Sequence, residues 1–394
     1  MKIGIYGGTY NPPHLGHVTA ARAVFELLKL DKLLLIPAGI PPHKAMPAGS
    51  PTAEQRLEMT RLAGESLGLK DKVEVLDLEL HRQGKSYTSD TLAELKERYP
   101  EDELWLLMGT DMFLTFQCWK APEEICSLAG IAAFARAEED TQEMFRIQAE
   151  YLNKTFGAKV CTIQLPAIRT VSSTEIREGD AWKELYPPVY GYILMNGLYG
   201  TNKDLTKLSD EELRACANSM VRAKRIRHIL GTEQEAVRLA ERWGADVNHA
   251  RRAGILHDCT KYWSLEENLR CCEKYGVELD ELEQKAVKLL HSKTGACMAK
   301  YVFGEPEEVC SAIYYHTTGR ADMTLLEKIL YVADYMEPNR DFEGVEELRK
   351  LAYTDLDAAV LMGCEMSIEE MKERGNPLHH HTLEACQWLK GKKE

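Results

Sequence analysis

The chain has little that is typical of secreted, membrane-spanning or nucleic-acid-binding proteins. No stretch approaches the roughly 18 apolar residues that a membrane span needs, and the start MKIGIYGG lacks the apolar run of a signal peptide. Positive charge is in deficit, since 49 Lys and Arg face 62 Asp and Glu for a net charge of -13. Such a chain repels nucleic acid and acidic lipid outside a local basic site. We therefore expect a cytoplasmic protein that binds neither nucleic acid nor membrane.

Cysteine spacing excludes two further classes. The eleven cysteines are an odd number without a CxxC pair, which suits neither a disulfide framework nor a zinc ribbon. Reduced thiols of a cytoplasmic protein are the simpler interpretation. With 394 residues, of which 44% are hydrophobic and 28% charged, the chain has a globular composition and predicts two or three domains.

The first half alternates short apolar runs with helical patterns. This alternation predicts a Rossmann-like α/β domain with a parallel sheet and helices on both faces. Ligands of such sheets bind outside the carboxyl ends of the strands. Helices are predicted over 17–30 and 91–98, and strands over 2–6, 33–37, 73–76, 104–108, 131–135 and 160–165.

The second half is almost entirely helical in pattern from Ser209 onward. Ser209 and Glu212 have the spacing of a capping box, which marks a helix start. Residues 197–208 are the predicted linker. We expect one domain over 1–200 and an all-α helical bundle over 201–394.

A glycine-rich motif, GGTYNPPHLGH, runs from Gly7 to His17, where a strand gives way to a helix. Gly7 and Gly8 allow backbone to approach a phosphate, and the helix start supplies N–H donors and a positive dipole. His14 and His17 can face the same anion. The motif is neither a Walker A loop nor G-x-G-x-x-G, and a plain loop with two surface histidines is the alternative.

A second helix start lies at Ser172–Arg177, sequence SSTEIR. Ser172 and Glu175 have capping-box spacing, which leaves N–H groups free for an anion. Arg177 lies within the first turns and can reach a phosphate. A plain helix cap with an exposed arginine is the alternative for this motif alone, but two such helix starts together favour a phosphate site.

These motifs give the first half a resemblance to bacterial nicotinate mononucleotide adenylyltransferases. The resemblance spans about 200 residues and includes the Pro-Pro-His-Lys loop at 41–44, the Gly-Thr-Asp turn at 109–111 and Trp119. It implies transfer of AMP from ATP to nicotinate mononucleotide, which gives nicotinate adenine dinucleotide and pyrophosphate. The attacking phosphate oxygen is already anionic, so the reaction needs no general base; it needs stabilisation of charge on the phosphates.

The resemblance also implies the site residues. His14, His17, Lys44 and Arg177 would stabilise the phosphates together with the Mg²⁺ that accompanies ATP. Asp111 would hold the ribose, and Tyr87 and Trp119 would flank the pyridine ring, although Trp119 is equally well interpreted as a core aromatic. Arg136 lacks the Pro-Gly that usually follows it, which leaves its role open. The expected substrate-binding residues are Gly7, Gly8, Thr9, Tyr87, Thr88, Gly109, Asp111, Trp119, Arg136, Ser172, Ser173 and Thr174.

Histidines and aspartates in apolar helical segments mark the second half. A buried histidine needs a polar partner, and a metal ion suits several at once. Nitrogen and oxygen donors with little thiolate nearby favour iron, manganese or another first-row divalent ion. The pattern H…HD…H…H…D is formed by His228, His257, Asp258, His291, His316 and Asp334.

This order resembles the HD-domain phosphohydrolases of the YqeK type, over about residues 210–385. The resemblance implies that those six residues bind two divalent metals, with Asp258 between them and catalytic. It implies symmetrical hydrolysis of diadenosine tetraphosphate to two ADP. Lys261 and Arg340 are candidate phosphate contacts, although a surface charge is the simpler interpretation of Arg340. We interpret His249 as an exposed helix residue and His379–His381 as a solvated loop, with metal binding as its second interpretation.

Alternatives stay open for each half. The second half could be a regulatory module that binds metal and adenine nucleotides without catalysis. The first half could adenylylate another acceptor, such as phosphopantetheine. A homo-oligomer is compatible with the sequence.

Overall fold

A computed structural model describes residues 1–41, 45–137, 140–165, 171–179 and 182–391. The chain forms two compact units, Met1–Thr201 and Asn202–Glu394. Their border falls inside the predicted linker. No helix within the described ranges is long and apolar enough to cross a membrane.

The N-terminal unit is built on a six-stranded, fully parallel sheet. Its strand order is β3-β2-β1-β4-β5-β6, so the order reverses at β1, where the chain moves from one side of the sheet to the other. This is the doubly wound arrangement that the strand–helix alternation predicted, and the prediction is confirmed. The strands are β1 (Lys2–Gly8), β2 (Lys32–Pro37), β3 (Val73–Val75), β4 (Glu103–Gly109), β5 (Gly130–Phe134) and β6 (Val160–Ile163).

Both faces of this sheet are covered, which explains its continuous apolar strands. Alternate residues of β1 and β4 enter two separate cores, one containing Ile5 and Leu106 and the other Tyr6 and Leu107. The helices of the unit are α1 (Leu15–Leu27), α2 (Ala53–Glu65), α3 (Thr88–Arg98), α4 (Thr110–Leu114), α5 (Pro122–Leu128), α6 (Gln142–Phe156), α7 (Ser173–Arg177) and α8 (Pro187–Met195).

The C-terminal unit is helical throughout its described residues, as predicted. The capping box of Ser209 and Glu212 is formed at its first helix. The longest helix has 21 residues and packs on the helix that directly follows it and on the one that carries Asp334. The helices are α9 (Asp210–Ser219), α10 (Ala223–Trp243), α11 (Val247–Leu256), α12 (Leu265–Tyr275), α13 (Val287–Tyr301), α14 (Glu307–Tyr315), α15 (Leu325–Met336), α16 (Val345–Thr354), α17 (Leu356–Glu373) and α18 (His380–Gly391).

Candidate active sites

The N-terminal unit has a cavity of about 430 Å³ at the carboxyl edge of its sheet. The loops that follow β1, β2, β4 and β5 all contribute to its wall, as the parallel topology requires. All twelve substrate-binding residues that the sequence suggested line this cavity, and so do His17 and Arg177. His14 lines a small adjoining cavity together with His17 and Arg136. Lys44 lies outside the described residues.

The two histidines of the H-x-G-H motif lie side by side at the start of α1. Their ring centroids are 3.8 Å apart, and a Cβ on Gly16 would lie 2.9 Å from Nδ1 of His14, so only glycine allows this approach. The backbone N–H of His14 donates to Nδ1 of His17 over 3.3 Å. Neutral His17 therefore carries its proton on Nε2, which can donate to a ligand. Both ring nitrogens of His14 are buried without a partner in the protein.

Both imidazoles are neutral near pH 7. Burial, with a smaller contribution from the Arg136 guanidinium, lowers the pKa of His14 to about 3. Burial also lowers the pKa of His17 well below its usual 6.5, and His14 and Arg136 add to this effect. Before a substrate binds, the pair thus contributes N–H donors rather than positive charges. The positive charges of the described cavity wall come from Arg136, Arg177 and Lys120.

The depressed pKa of His14 predicts a pH-dependent stability. Unfolded His14 takes up a proton below pH 6.5, whereas folded His14 stays neutral until about pH 3, so its contribution is lost as the pH falls below 6.5. Between pH 7 and pH 5 we expect this effect to lower the free energy of unfolding of the N-terminal unit by up to about 2 kcal/mol. Calorimetry of the full chain and of His14→Gln checks this, with the N-terminal transition identified by its shift on ATP binding. Equal losses of stability in wild type and in His14→Gln between pH 7 and pH 5 would contradict the assignment of this effect to His14.

Arg177 joins the second helix start to the first motif. Its guanidinium donates to the carbonyl oxygen of Asn11 over 2.6 Å and to Oγ1 of Thr174 over 2.9 Å. Ser173 donates to the carbonyl of Pro12 over 2.9 Å. The capping box of Ser172 and Glu175 is formed at α7. The two phosphate-type helix starts thus meet at one cavity.

The backbone at Arg136 is held by Asp140. Oδ2 of Asp140 accepts from the backbone N–H groups of Arg136 over 2.7 Å and Ala137 over 2.8 Å, and also from the hydroxyl of Thr110. The Arg136 guanidinium lies 3.4 Å from Oδ2 of Asp111 at the cavity wall. Trp119 lines the cavity and also packs against the core.

Arg56 of α2 contacts the loops of the cavity wall, and this role was not predicted from the sequence. It is 2% exposed, and its guanidinium donates to the carbonyls of Thr9, Ala38 and Gly39 over 2.7–3.0 Å. Those carbonyls belong to the loops that follow β1 and β2, and both loops line the cavity. Arg56 therefore holds these two loops of the cavity wall together.

We predict that Arg56→Ala destabilises the N-terminal unit by about 3 kcal/mol, because three buried carbonyls lose their donor. A matched control is Arg61→Ala on the same helix; Arg61 is 40% exposed and pairs with Glu58 and Glu65, so its loss should cost less than about 0.5 kcal/mol. Calorimetry of the two variants measures the difference. Equal stabilities would contradict the structural role of Arg56.

In the C-terminal unit, four imidazoles and two carboxylates converge at the centre of the helical bundle. Nε2 of His228 and Nε2 of His257 lie 3.2 Å apart, as do the Nε2 atoms of His291 and His316. The donor atoms form two overlapping groups whose members all lie within 4.8 Å of one another, His228 with His257 and Asp334, and His257 with Asp258 and His316. The structure thus brings together all six residues that the sequence suggested.

Asp258 lies between the two pairs of imidazoles. Its Oδ1 is 3.0 Å from Nε2 of His291 and 3.8 Å from Nε2 of His316. Its Oδ2 is 3.6 Å from Nε2 of His257. The remaining carboxylate, Asp334, has Oδ1 at 2.9 Å from Nε2 of His228. One oxygen of Asp258 thus faces each pair, which is the geometry of a bridging carboxylate.

The tautomers show that this cluster suits cations. Nδ1 of His257, His291 and His316 each lies 2.7 Å from the carbonyl oxygen three residues earlier, so Nδ1 carries the proton and Nε2 presents a lone pair. At His291 that lone pair faces Oδ1 of Asp258, which has no hydrogen-bond donor in the protein. Acceptors that face one another at about 3 Å fit a shared metal ion.

The protonation state of the imidazoles also suits a metal. Burial lowers the pKa of His257 to about 3 and that of His291 to about 4, although the neighbouring carboxylates partly oppose burial. Both rings are therefore neutral at pH 7, as metal ligands must be.

Glu337 orients the fourth imidazole and was not predicted from the sequence. Its Oε1 lies 3.2 Å from Nδ1 of His228, the position of a carboxylate that fixes a metal-binding histidine. A Cβ on Gly231 would lie 2.2 Å from Oε2 of Glu337. Glycine at position 231 is thus required for this carboxylate to approach α10.

Three cations surround the carboxylates. Nζ of Lys261 lies 3.5 Å from Oδ1 of Asp258, and Arg225, which the sequence did not single out, pairs with Oδ2 of Asp258. Arg340 donates to Oδ1 of Asp334 over 2.9 Å. The interpretation of Arg340 as a surface charge is therefore wrong, because its guanidinium is paired at the cluster.

The His379–His381 run is also different from its predicted solvated loop. His379 is 5% exposed and its Nε2 lies 2.9 Å from Oε1 of Glu283, while His380 and His381 begin α18. Glu283 also pairs with Lys293 over 2.8 Å. His249 pairs with Glu308 over 3.0 Å near the surface.

Comparison with known proteins identifies each unit. The family profile described as "Cytidylyltransferase-like" matches residues 5–179, and that described as "HD domain" matches residues 225–339. A protein of Carboxydothermus hydrogenoformans named "Probable nicotinate-nucleotide adenylyltransferase" is 40% identical over 202 residues, which are 50% of this chain and 98% of the relative. The N-terminal unit belongs to the nicotinate-nucleotide adenylyltransferase family.

The C-terminal unit has an equally complete relative. The Bacillus subtilis protein named "Bis(5'-nucleosyl)-tetraphosphatase, symmetrical" is 37% identical over 183 residues, which are 46% of this chain and 98% of the relative. The C-terminal unit belongs to that HD-domain family. A solved structure described as a predicted HD superfamily hydrolase involved in NAD metabolism, from Clostridium acetobutylicum, is 41% identical, covers 47% of this chain and 98% of its own, and has a TM-score of 0.46.

Family membership agrees with the chemistry of the two candidate sites. HD domains bind divalent metals, and the donor groups of the HD unit fit such ions. The adenylyltransferase unit and the HD unit are both related to enzymes that act on small nucleotides.

Proposed function

We propose that the adenylyltransferase unit transfers AMP from ATP to nicotinate mononucleotide. The observation that carries this proposal is the convergence of His17, Arg177 and both helix starts on one cavity. The cavity is large enough for nucleotides. Its other wall contains Tyr87 and Trp119, which suit an aromatic base.

The reaction follows from the chemistry of the two substrates. A phosphate oxygen of nicotinate mononucleotide forms a bond to the α-phosphorus of ATP, while the bond from that phosphorus to the bridging oxygen of the β-phosphate breaks. Pyrophosphate leaves with the charge of that oxygen. Nε2–H of His17 and the guanidinium of Arg177 donate to the phosphate oxygens, and His14 supplies a further ring N–H. Mg²⁺ that arrives with ATP neutralises part of the phosphate charge.

Positioning accounts for the remaining residues. The unpaired N–H groups at the start of α3, where Thr88 is the first residue, suit the carboxylate of the pyridine ring. Asp111 is exposed at the cavity wall and can accept from ribose hydroxyls. Lys120 lies 4.3 Å from the centroid of the Tyr87 ring, which adds positive charge at the end of the cavity assigned to the nicotinate.

A pyrophosphate-release assay with several acceptors tests this proposal. Nicotinate mononucleotide is expected to give the highest kcat/KM, because its carboxylate meets N–H donors and a lysine. A preference for nicotinamide mononucleotide or phosphopantetheine would contradict the proposal.

For the HD unit, we propose symmetrical hydrolysis of diadenosine tetraphosphate to two ADP. The observation that carries it is the complete set of four imidazoles and two carboxylates around a common centre. Two divalent ions, iron or manganese by the nature of the donors, would be held by His228, His257 and Asp334 on one side and by His291 and His316 on the other, with Asp258 between them. Bound there, such ions polarise phosphate oxygens and water.

The chain's own residues then favour attack at the centre of the substrate. Water adds its oxygen to one of the two inner phosphorus atoms, the bond from that phosphorus to the central bridging oxygen breaks, and one ADP leaves as the other forms. Lys261, Arg225 and Arg340 lie beside the carboxylates and can stabilise the negative charge on the phosphates. ADP as the single nucleotide product of diadenosine tetraphosphate checks this regiochemistry. AMP and ATP in equal amounts would contradict it.

The cysteines support a cytoplasmic location. All eleven are free thiols, and most are buried, which suits a reducing compartment.

A further inference from the structure

A line of basic side chains leads outward from the metal-ligand cluster along α10. Arg225 and His228 are three residues apart on α10 and lie on one face, and Arg222 is the extended residue that directly precedes the helix. His228 is buried in the cluster and Arg225 pairs with the bridging carboxylate of Asp258, whereas Arg222 is exposed. The six residues from His228 to Arg222 span about 9 Å along the helix axis.

An aromatic ring lies at the outer end of this line. Tyr262 directly follows Lys261, whose Nζ lies 3.0 Å from Nε2 of His291. Cζ of Arg222 is 5.0 Å from the centroid of the Tyr262 ring, and Nζ of Lys224 is 6.0 Å from it. The half-buried ring thus has two cations at its edge or face and a third, Lys261, beside it in the chain.

These outer cations are not neutralised by the protein. Within the described residues, Arg222 and Lys224 form no ion pair, although the chain has a net charge of -13. By contrast, Arg238 of α10 pairs with Glu235, and Arg214 of α9 pairs with Glu233. Neighbouring like charges repel one another, and a bound polyanion would offset that cost.

We propose that Arg222, Lys224 and Tyr262 form a subsite for one nucleotide half of a dinucleoside polyphosphate. This proposal rests on the function proposed for the HD unit. Cleavage at the centre of four phosphates places a nucleoside diphosphate on each side of the reacting phosphorus, so a base must be held well away from the metal ligands. Tyr262 stacks on the base, Arg222 and Lys224 bind the outer phosphate, and Arg225 and Lys261 bind the phosphate next to the cluster.

The test compares an Arg222→Gln/Lys224→Gln variant with wild type as Mn²⁺-loaded full-length protein. The KM for diadenosine tetraphosphate is expected to rise about tenfold or more, since two charge-assisted contacts are lost, while kcat stays within about twofold. Tyr262→Leu should raise KM as well, without a change in the salt dependence of KM. The double variant should weaken that salt dependence.

Arg227→Gln is the matched control. Arg227 is an exposed cation of the same helix, but it lies roughly 200° around the axis from Arg225. The KM of Arg227→Gln for diadenosine tetraphosphate should equal that of wild type. An unchanged KM in the double variant, or an equal rise in Arg227→Gln, would overturn the subsite.

Equilibrium dialysis of ADP in the presence of Mn²⁺ separates this proposal from the function on which it rests. If wild type does not hydrolyse diadenosine tetraphosphate, the proposed function fails, and ADP binding decides the subsite alone. A Kd for ADP that is about tenfold higher in the double variant than in Arg227→Gln supports the subsite. Equal Kd values refute it.

Discussion

His257→Ala is expected to lower kcat for diadenosine tetraphosphate hydrolysis at least about 1000-fold. The substitution removes a buried imidazole whose Nε2 lies 3.2 Å from that of His228 and 3.6 Å from Asp258. Stabilisation of phosphate charge by bound metal is worth several kcal/mol, and the Asp258 carboxylate loses a neighbouring imidazole. Steady-state assays of ADP release with added Mn²⁺ measure the effect.

The controls for this prediction use the same chain. His249→Ala removes a histidine of α11 that pairs with Glu308 near the surface, so hydrolysis should stay within about twofold of wild type. Asp258→Asn keeps the shape of the buried side chain, so its loss of activity does not depend on a cavity. Adenylyl transfer by all three variants should be unchanged. A His257→Ala enzyme with more than a tenth of wild-type hydrolysis would refute the catalytic role of the cluster.

Arg177→Ala is expected to lower kcat for adenylyl transfer about 100- to 1000-fold. Removal of one donor that stabilises transition-state charge costs about 2.7–4 kcal/mol in comparable sites. The guanidinium also holds the carbonyl of Asn11, so the loop that carries His14 and His17 would lose a contact. The pre-steady-state rate of dinucleotide formation measures the chemical step.

Arg146→Ala is the control for Arg177. Arg146 lies on α6, is exposed, and pairs with Glu143 and Glu150, so adenylyl transfer should not change. Arg177→Lys keeps the charge but loses the forked geometry and should recover only part of the rate. Loss of hydrolysis in Arg177→Ala would show that the effect is general unfolding.

Local patterns in the sequence were sufficient for the sheet and for the residues that line each site. The strands of the first half are apolar runs bounded by glycine or proline, and the parallel topology then places their carboxyl ends together. The helix start at Ser173 follows a motif with a capping signature, and the start at Leu15 lies within the glycine-rich motif. The six donors of the HD unit lie in apolar helical segments, where an unpaired polar group is costly, but the set was predicted from its resemblance to HD-domain phosphohydrolases.

The missed residues have partners far away in sequence. Arg56 is followed by a pattern typical of a solvent-exposed helix, but its three carbonyl partners lie 17 to 47 residues earlier. Glu337 contacts His228 across 109 residues, and His379 contacts Glu283 across 96. No local pattern encodes such contacts, since only the tertiary fold brings the partners together.

Anomalous diffraction from crystals of the full chain grown with Mn²⁺ tests most directly whether the HD unit assembles a two-metal centre. We predict two peaks per chain, one bounded by His228, His257 and Asp334, the other by His291 and His316, with a carboxylate oxygen of Asp258 beside each. A single peak away from Asp258, or none at full Mn²⁺ occupancy in solution, would contradict it.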